Sequence, residues 1–151
     1  MKILVVTQYF YPETFRVNSL CTELVKRGHD VTVLTGFPQY PRGKIYDGYG
    51  FNKEYNHKWN GAKIERLKVL PRGKTPIGLL LNCITFVREG KKWVKNCTEK
   101  FDAVYVFEVS PVTVGLPAVE YKENSEHPCF SMCRIYGPKM LRLFSEYIIS
   151  L

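Results

Sequence analysis

The sequence carries none of the common glycine-rich phosphate loops. No G-x-G-x-x-G follows the first apolar run, Lys2–Thr7, and no G-x-x-x-x-G-K-S/T occurs anywhere. The first absence removes the pyrophosphate cradle of a dinucleotide-binding unit, and the second argues against a P-loop nucleotide hydrolase. Also missing are the G-x-S-x-G elbow of a serine hydrolase and the H-E-x-x-H pair of a zinc protease. Histidine is scarce, with three in 151 residues, and the three are scattered. His29 reads as a structural residue at a helix–strand corner. Long apolar runs are missing too. The longest, Ile77–Val87, holds Asn82 and Thr85, is bracketed by Lys74 and Arg88, and falls short of the ~20 residues that span a bilayer. Core burial is its expected fate, with a helix lying on a membrane surface as the alternative. The apolar start is too short for a secretory signal. There are no internal repeats. Hydrophobic residues at 45% and charged residues at 24% exclude low-complexity disorder, collagen and coiled coil. The length fits one ordinary domain.

Positive charge is what the composition does have. Lys plus Arg is 22 and Asp plus Glu 14, a net +8. Such a chain is drawn to polyanions: nucleic acid, anionic lipid or phosphorylated small molecules. The basic residues are interleaved with acids, densest at Lys63–Arg72 and Arg88–Lys95, and no nucleic-acid motif accompanies them. No nucleic-acid partner is therefore expected. Five cysteines stand at 21, 83, 97, 129 and 133. Cys129 and Cys133 lack the second pair that a zinc site needs, so no metal is expected and the thiols read as reduced.

Hydrophobic periodicity lays out an alternating order. Lys2–Thr7 suits a strand buried on both faces. Val17, Leu20, Cys21 and Leu24 fall at i, i+3, i+4 and i+7, a helix stripe that Gly28 stops. Val31–Leu34 is a second buried strand. Thr35–Trp59 is a long loop rich in turn formers and tyrosine, and Asn60-Gly61 is a turn. Lys63–Leu67 is a third strand. Ile77 to about Lys95 is a helix with Leu80, Ile84, Val87, Lys91 and Val94 on one face. Ala103–Phe107 is a fourth strand. Ser110-Pro111 opens a helix through Val112–Tyr121 with a kink at Pro117, and Cys129–Cys133 is a fifth strand. This is an α/β, Rossmann-like, doubly wound, mainly parallel sheet.

In such a sheet ligands bind beyond the carboxyl ends of the strands. Arg16, near a helix N-terminus after the first strand, fits either a phosphate contact or a solvated first-turn arginine. Ser110, after the fourth strand, fits either a helix cap or a substrate contact. No residue stands out as catalytic.

Combined, several stretches resemble the N-terminal domain of family 4 glycosyltransferases of the GT-B fold. They are Met1–Thr7 with Gln8-Tyr9-Phe10-Tyr11-Pro12-Glu13, then Leu24–Gly36 with Arg27-Gly28-His29-Asp30. They continue in Pro38-Gln39-Tyr40-Pro41, Gly43-Lys44-Ile45-Tyr46-Asp47-Gly48-Tyr49 and Ser110–Ala118. The resemblance is to the branch that assembles bacterial surface polysaccharides, O-antigen and capsule, of the fucosamine transferase kind. It implies a retaining, metal-independent transfer of a sugar from a nucleotide-sugar donor, with no further cofactor. The N-terminal domain receives the acceptor, and a second Rossmann-like domain binds the donor. Glu13, Phe15, Arg16, Ser110 and Thr113 would face the donor phosphates or the cleft. Gln39, Tyr40, Tyr46 and Tyr49 would shape the acceptor side. The implied partner is a sugar or lipid-linked sugar, in the cytoplasm or at the inner membrane face.

The likeness covers residues 1–133 and stops after Cys133, where the family pattern is close to Gln-Asp-Leu-Trp-Pro-Glu. Here the chain reads Arg134-Ile135-Tyr136-Gly137-Pro138-Lys139. Codons for Arg134–Phe144 can be chosen so that the neighbouring frame restores the family pattern. The expectation is an out-of-frame tail, 134–151, on a truncated half that is inactive alone. The alternative is a stand-alone half pairing with a separate donor-binding chain.

Overall fold

A computed structural model describes residues 1–108, 112–124 and 130–135. Expected features at Ser110-Pro111, and in the tail from 136 onward, lie outside the described residues. The elements run β1 (Lys2–Thr7), α1 (Arg16–Lys26), β2 (Asp30–Thr35), β3 (Lys58–Trp59), β4 (Ala62–Arg66), α2 (Pro76–Asn96), β5 (Ala103–Glu108), a 3-10 turn (Val112–Gly115), α3 (Leu116–Asn124) and β6 (Phe130–Ile135). They form one six-stranded sheet in the order β3-β4-β2-β1-β5-β6. Every pairing is parallel except β3 with β4. The fold is α/β and Rossmann-like, as expected from the alternating pattern.

The sheet is wound on both faces because its central strands alternate. Leu4 and Val6 of β1 join Leu34, Val104 and Val106 under α2 and α3, with Phe86, Val94, Ala118 and Tyr121. Ile3 and Val5 join Val31, Val33 and Ile64 under α1, with Val17 and Cys21. A strand buried on both faces needs an unbroken apolar run, which is what Lys2–Thr7 supplies.

Four local expectations are corrected. The loop from Thr35 closes on a short antiparallel strand, β3, which the Asn60-Gly61 turn joins to β4. The third parallel strand lies one residue earlier than expected. There is no proline kink at Pro117: a 3-10 turn ends at Gly115 and a new helix starts, with Pro117 in its first turn, where a missing N–H costs nothing. The expected face of α2 holds at Val94 but not at Leu80 and Ile84. Leu80 and Ile84 are exposed, while Asn82, Cys83, Thr85, Phe86, Gly90 and Val94 are buried.

The reason is a polar demand inside the fold. Gln8 at the end of β1 donates through Nε2 to Asn82 Oδ1, and Asn82 Nδ2 donates to the Leu70 carbonyl. The Leu70 N–H donates to Thr85 Oγ1 at 3.2 Å. Asn82 and Thr85 therefore turn inward to satisfy a buried segment of backbone, and the aliphatic residues beside them turn out.

Candidate functional site

The carboxyl ends of β1, β2 and β4 open into three loops that fold over one another. Glu13 organises them. One carboxylate oxygen, Oε1, accepts from the Gln39 N–H at 2.7 Å and also from the Tyr40 N–H. The other, Oε2, is buried with no hydrogen-bond partner. Burial holds the Glu13 carboxyl above its ordinary range, against the Tyr40 and Gln39 amides and Arg66, which pull it down. The Gln39 side chain accepts from the Arg72 N–H at 2.6 Å, and its backbone carbonyl accepts from Gly43 N–H at 2.7 Å. Gly43 sits at φ +71, and a Cβ there would lie 2.3 Å from the Gly73 carbonyl oxygen. Only glycine allows that approach, so Gly43 fixes the tyrosine loop against the segment before α2.

Three aromatic rings meet on this frame. Tyr9 stacks on Phe15 with ring centroids 5.6 Å apart, and Tyr40 lies 5.7 Å from Tyr9 and 5.5 Å from Phe15. The Arg72 guanidinium lies 6.0 Å from the Tyr40 ring and donates to the Tyr9 hydroxyl at 3.4 Å. Burial raises the Tyr9 phenol above its usual value, and Arg72 works against that shift. Tyr46 donates through its hydroxyl to the Tyr40 carbonyl, and Arg42 lies 5.7 Å over the Tyr46 ring. A second cation, Arg66, is buried beneath the loops. It donates to the Gly36 carbonyl at 2.8 Å and to the Tyr11 carbonyl, and its guanidinium lies 4.9 Å from the Tyr49 ring. Desolvation lowers its pKa, and the neighbouring Tyr49, Tyr55 and Glu13 oppose that shift.

Beside the cluster runs a groove of about 620 Å³ between α1 and the β3–β4 hairpin. Tyr11 stacks on Trp59 at 5.3 Å along its wall, and Asn18, Thr22 and Asn60 supply polar groups. Phe15 belongs to both the groove and the ring cluster.

The structure brings together Glu13, Phe15, Gln39, Tyr40, Tyr46 and Tyr49. Arg16 is exposed as the first residue of α1, whose cap residue Phe15 offers no side-chain hydrogen bond. Thr113 is exposed in the 3-10 turn after β5, on the opposite side of β1 from β2. Ser110 lies outside the described residues. Arg66, Arg72 and Trp59 were not singled out from the sequence. Arg72 sits in a Pro-Arg-Gly break, and only its pairing with Gln39 and Tyr9 gives it a role. Aromatic faces beside amide, hydroxyl and guanidinium groups suit a ligand with an apolar C–H face and many hydroxyls. Among the described residues no group of His, Cys, Asp and Glu could hold a metal ion. No described helix is long and apolar enough to cross a membrane.

No protein-family model matches the chain, and neither does any curated protein. Among solved structures, the crystal structure of CalG4, the calicheamicin glycosyltransferase, is similar. The TM-score is 0.52 at 14% identity, covering 97% of this chain and 36% of that one. The likeness is one of fold, and this chain spans about a third of the length of that enzyme.

Proposed function

We propose that this chain is the acceptor-binding, N-terminal half of a GT-B glycosyltransferase. The observation that carries the reading is the Tyr9–Phe15–Tyr40 cluster with Arg72. It lies at the carboxyl ends of a Rossmann-like sheet whose fold is similar to part of a glycosyltransferase. A sugar or lipid-linked sugar would stack on these rings and extend into the groove along Tyr11 and Trp59. Gln39, Tyr46 and Tyr49 hold the loop that carries Tyr40. Arg16 and the N-terminal turn of α1, with Ser110 and Thr113, would face the phosphates of a nucleotide-sugar donor. That donor would be held by a second Rossmann-like unit, in the same chain or in a separate one. On this reading the complete enzyme is a retaining, metal-independent family 4 transferase of surface-polysaccharide synthesis in the cytoplasm, and residues 1–151 alone transfer nothing.

Saturation-transfer difference NMR with a panel of hexoses and N-acetylhexosamines tests the binding half of the reading. Tyr40 is 43% exposed, so Tyr40→Ala should leave the fold intact. We expect saccharide binding that Tyr40→Ala weakens roughly fivefold to tenfold, the size of one lost stacking contact. No binding by any saccharide, or binding indifferent to Tyr40→Ala, would overturn the assignment.

A further inference from the structure

We propose that a second aromatic pocket, at the β3–β4 edge of the sheet, binds a planar aromatic carboxylate. The pocket holds about 400 Å³ between the segment after β2, the segment after β4 and the chain leading into β3. That volume is on the scale of a small-ligand site. Phe37, Phe51, Tyr55 and His57 line it with rings. Phe37 is 1% exposed and forms the floor, whereas Phe51 is 46% exposed. Phe51 and Tyr55 both meet Phe37 edge-to-face, at centroid distances of 5.6 and 5.8 Å and interplanar angles of 65° and 85°. His57 lies 4.8 Å from Tyr55, and its Nδ1 is 3.4 Å from the Ile64 carbonyl of β4. Tyr49 and the buried Arg66 guanidinium pack on the Tyr55 ring at 5.9 and 5.8 Å. The rings are therefore fixed from the sheet side before any ligand arrives.

The lining selects the ligand by what it offers and what it omits. A large phenylalanine left nearly half exposed beside other rings marks a face that a ligand covers. Rings set at steep angles offer faces and edges together, an arrangement that one more aromatic ring completes. Among the described residues the lining holds no amide side chain. Gln39 frames the saccharide cluster and Asn18 and Asn60 line the groove, so a hydroxyl-rich ligand is better served there. The remaining lining groups are Lys53, Lys68 and Glu54, all exposed. Among the described residues neither lysine meets a carboxylate. Two lysines against Glu54 leave one positive charge over, which suits a single carboxylate and not a polyphosphate. At Tyr55 the charges of Arg66 and Glu65 oppose each other, so that balance stands. The pocket shares no lining residue with the groove along Tyr11 and Trp59, and none with the Tyr9–Phe15–Tyr40 cluster. The inference does not rest on sugar transfer.

Backbone amide chemical-shift titration of the full chain with indole-3-carboxylate tests it. Indole-3-carboxamide serves as the neutral counterpart and glucuronate as the acid without an aromatic ring. We expect saturable shifts centred on Phe51, Tyr55, His57 and Lys68 from the indole acid, binding of the amide roughly threefold weaker, and little response to glucuronate. Phe51→Ala alters an exposed ring and should keep the thermal midpoint while weakening the indole acid roughly fivefold. Lys68→Gln should bring the acid close to the amide. No saturable binding of the indole acid, or shifts centred elsewhere, would overturn the proposal. So would binding that Phe51→Ala leaves unchanged, or equal binding of acid and amide by the parent chain. Glucuronate shifting these residues as strongly as the indole acid would assign the pocket to acidic sugars and overturn it too. Loss of saccharide binding at Tyr40 leaves this test standing.

Discussion

Glu13 shows how a residue's motif position and its physical role diverge. The family resemblance implies a Glu13 carboxylate facing the donor phosphates or the cleft, whereas its Oε1 accepts two backbone amides of the tyrosine loop. Nothing in the sequence around Glu13 names residues 39 and 40 as its partners, because contacts across 26 and 27 positions are set by the fold. Glu13→Ala strands two amide donors and should cost about 2 kcal/mol or more. Glu13→Gln keeps the accepting oxygen and removes the buried charge. The Glu13 pKa is raised in the fold, so its contribution to stability is full below its ordinary value of 4.5 and is lost as pH rises through the higher folded value. The Gln variant should therefore match or exceed the parent's stability at pH 8, with the difference shrinking below pH 4.5. Urea unfolding across that range checks this, and a Gln variant much less stable at pH 8 would contradict it.

At the scale of elements, β1, α1 and β2 were legible because each has one dominant signal. β1 and β2 are unbroken apolar runs, and α1 has a single stripe that ends at Gly28, with φ +81. Helix α2 was legible as a helix but not in orientation. Period favours the aliphatic side of Ile77–Val87, but the fold buries the side that carries Asn82 and Thr85, which answer the backbone of Leu70. Gly90 fixes how α2 meets α3: a Cβ there would lie 2.5 Å from Pro117 Cγ. Gly90→Ala gains up to about 1 kcal/mol of helix propensity but overpacks by about 1–3 kcal/mol. The expected outcome is a net loss, read as a lower urea midpoint with an unchanged slope. A higher midpoint would show that the two helices separate without cost.

For the whole molecule, the strand order places the carboxyl ends of β1, β2 and β4 side by side, and the site is a property of that arrangement. The tyrosine-rich loop and the strand tips were visible in the sequence. Arg66, Arg72 and the Trp59 groove were not, because each acquires a role only through chain brought from elsewhere. The central claim is that this edge binds a saccharide and that the donor belongs to another unit. Backbone amide chemical-shift mapping tests it directly, titrating the labelled chain first with saccharides and then with nucleotide sugars. We expect saccharide shifts confined to residues around Tyr9, Phe15, Tyr40, Gly43 and Arg72, and no saturable response to nucleotide sugars. Saccharide shifts centred elsewhere, or saturable binding of a nucleotide sugar by this chain alone, would contradict it.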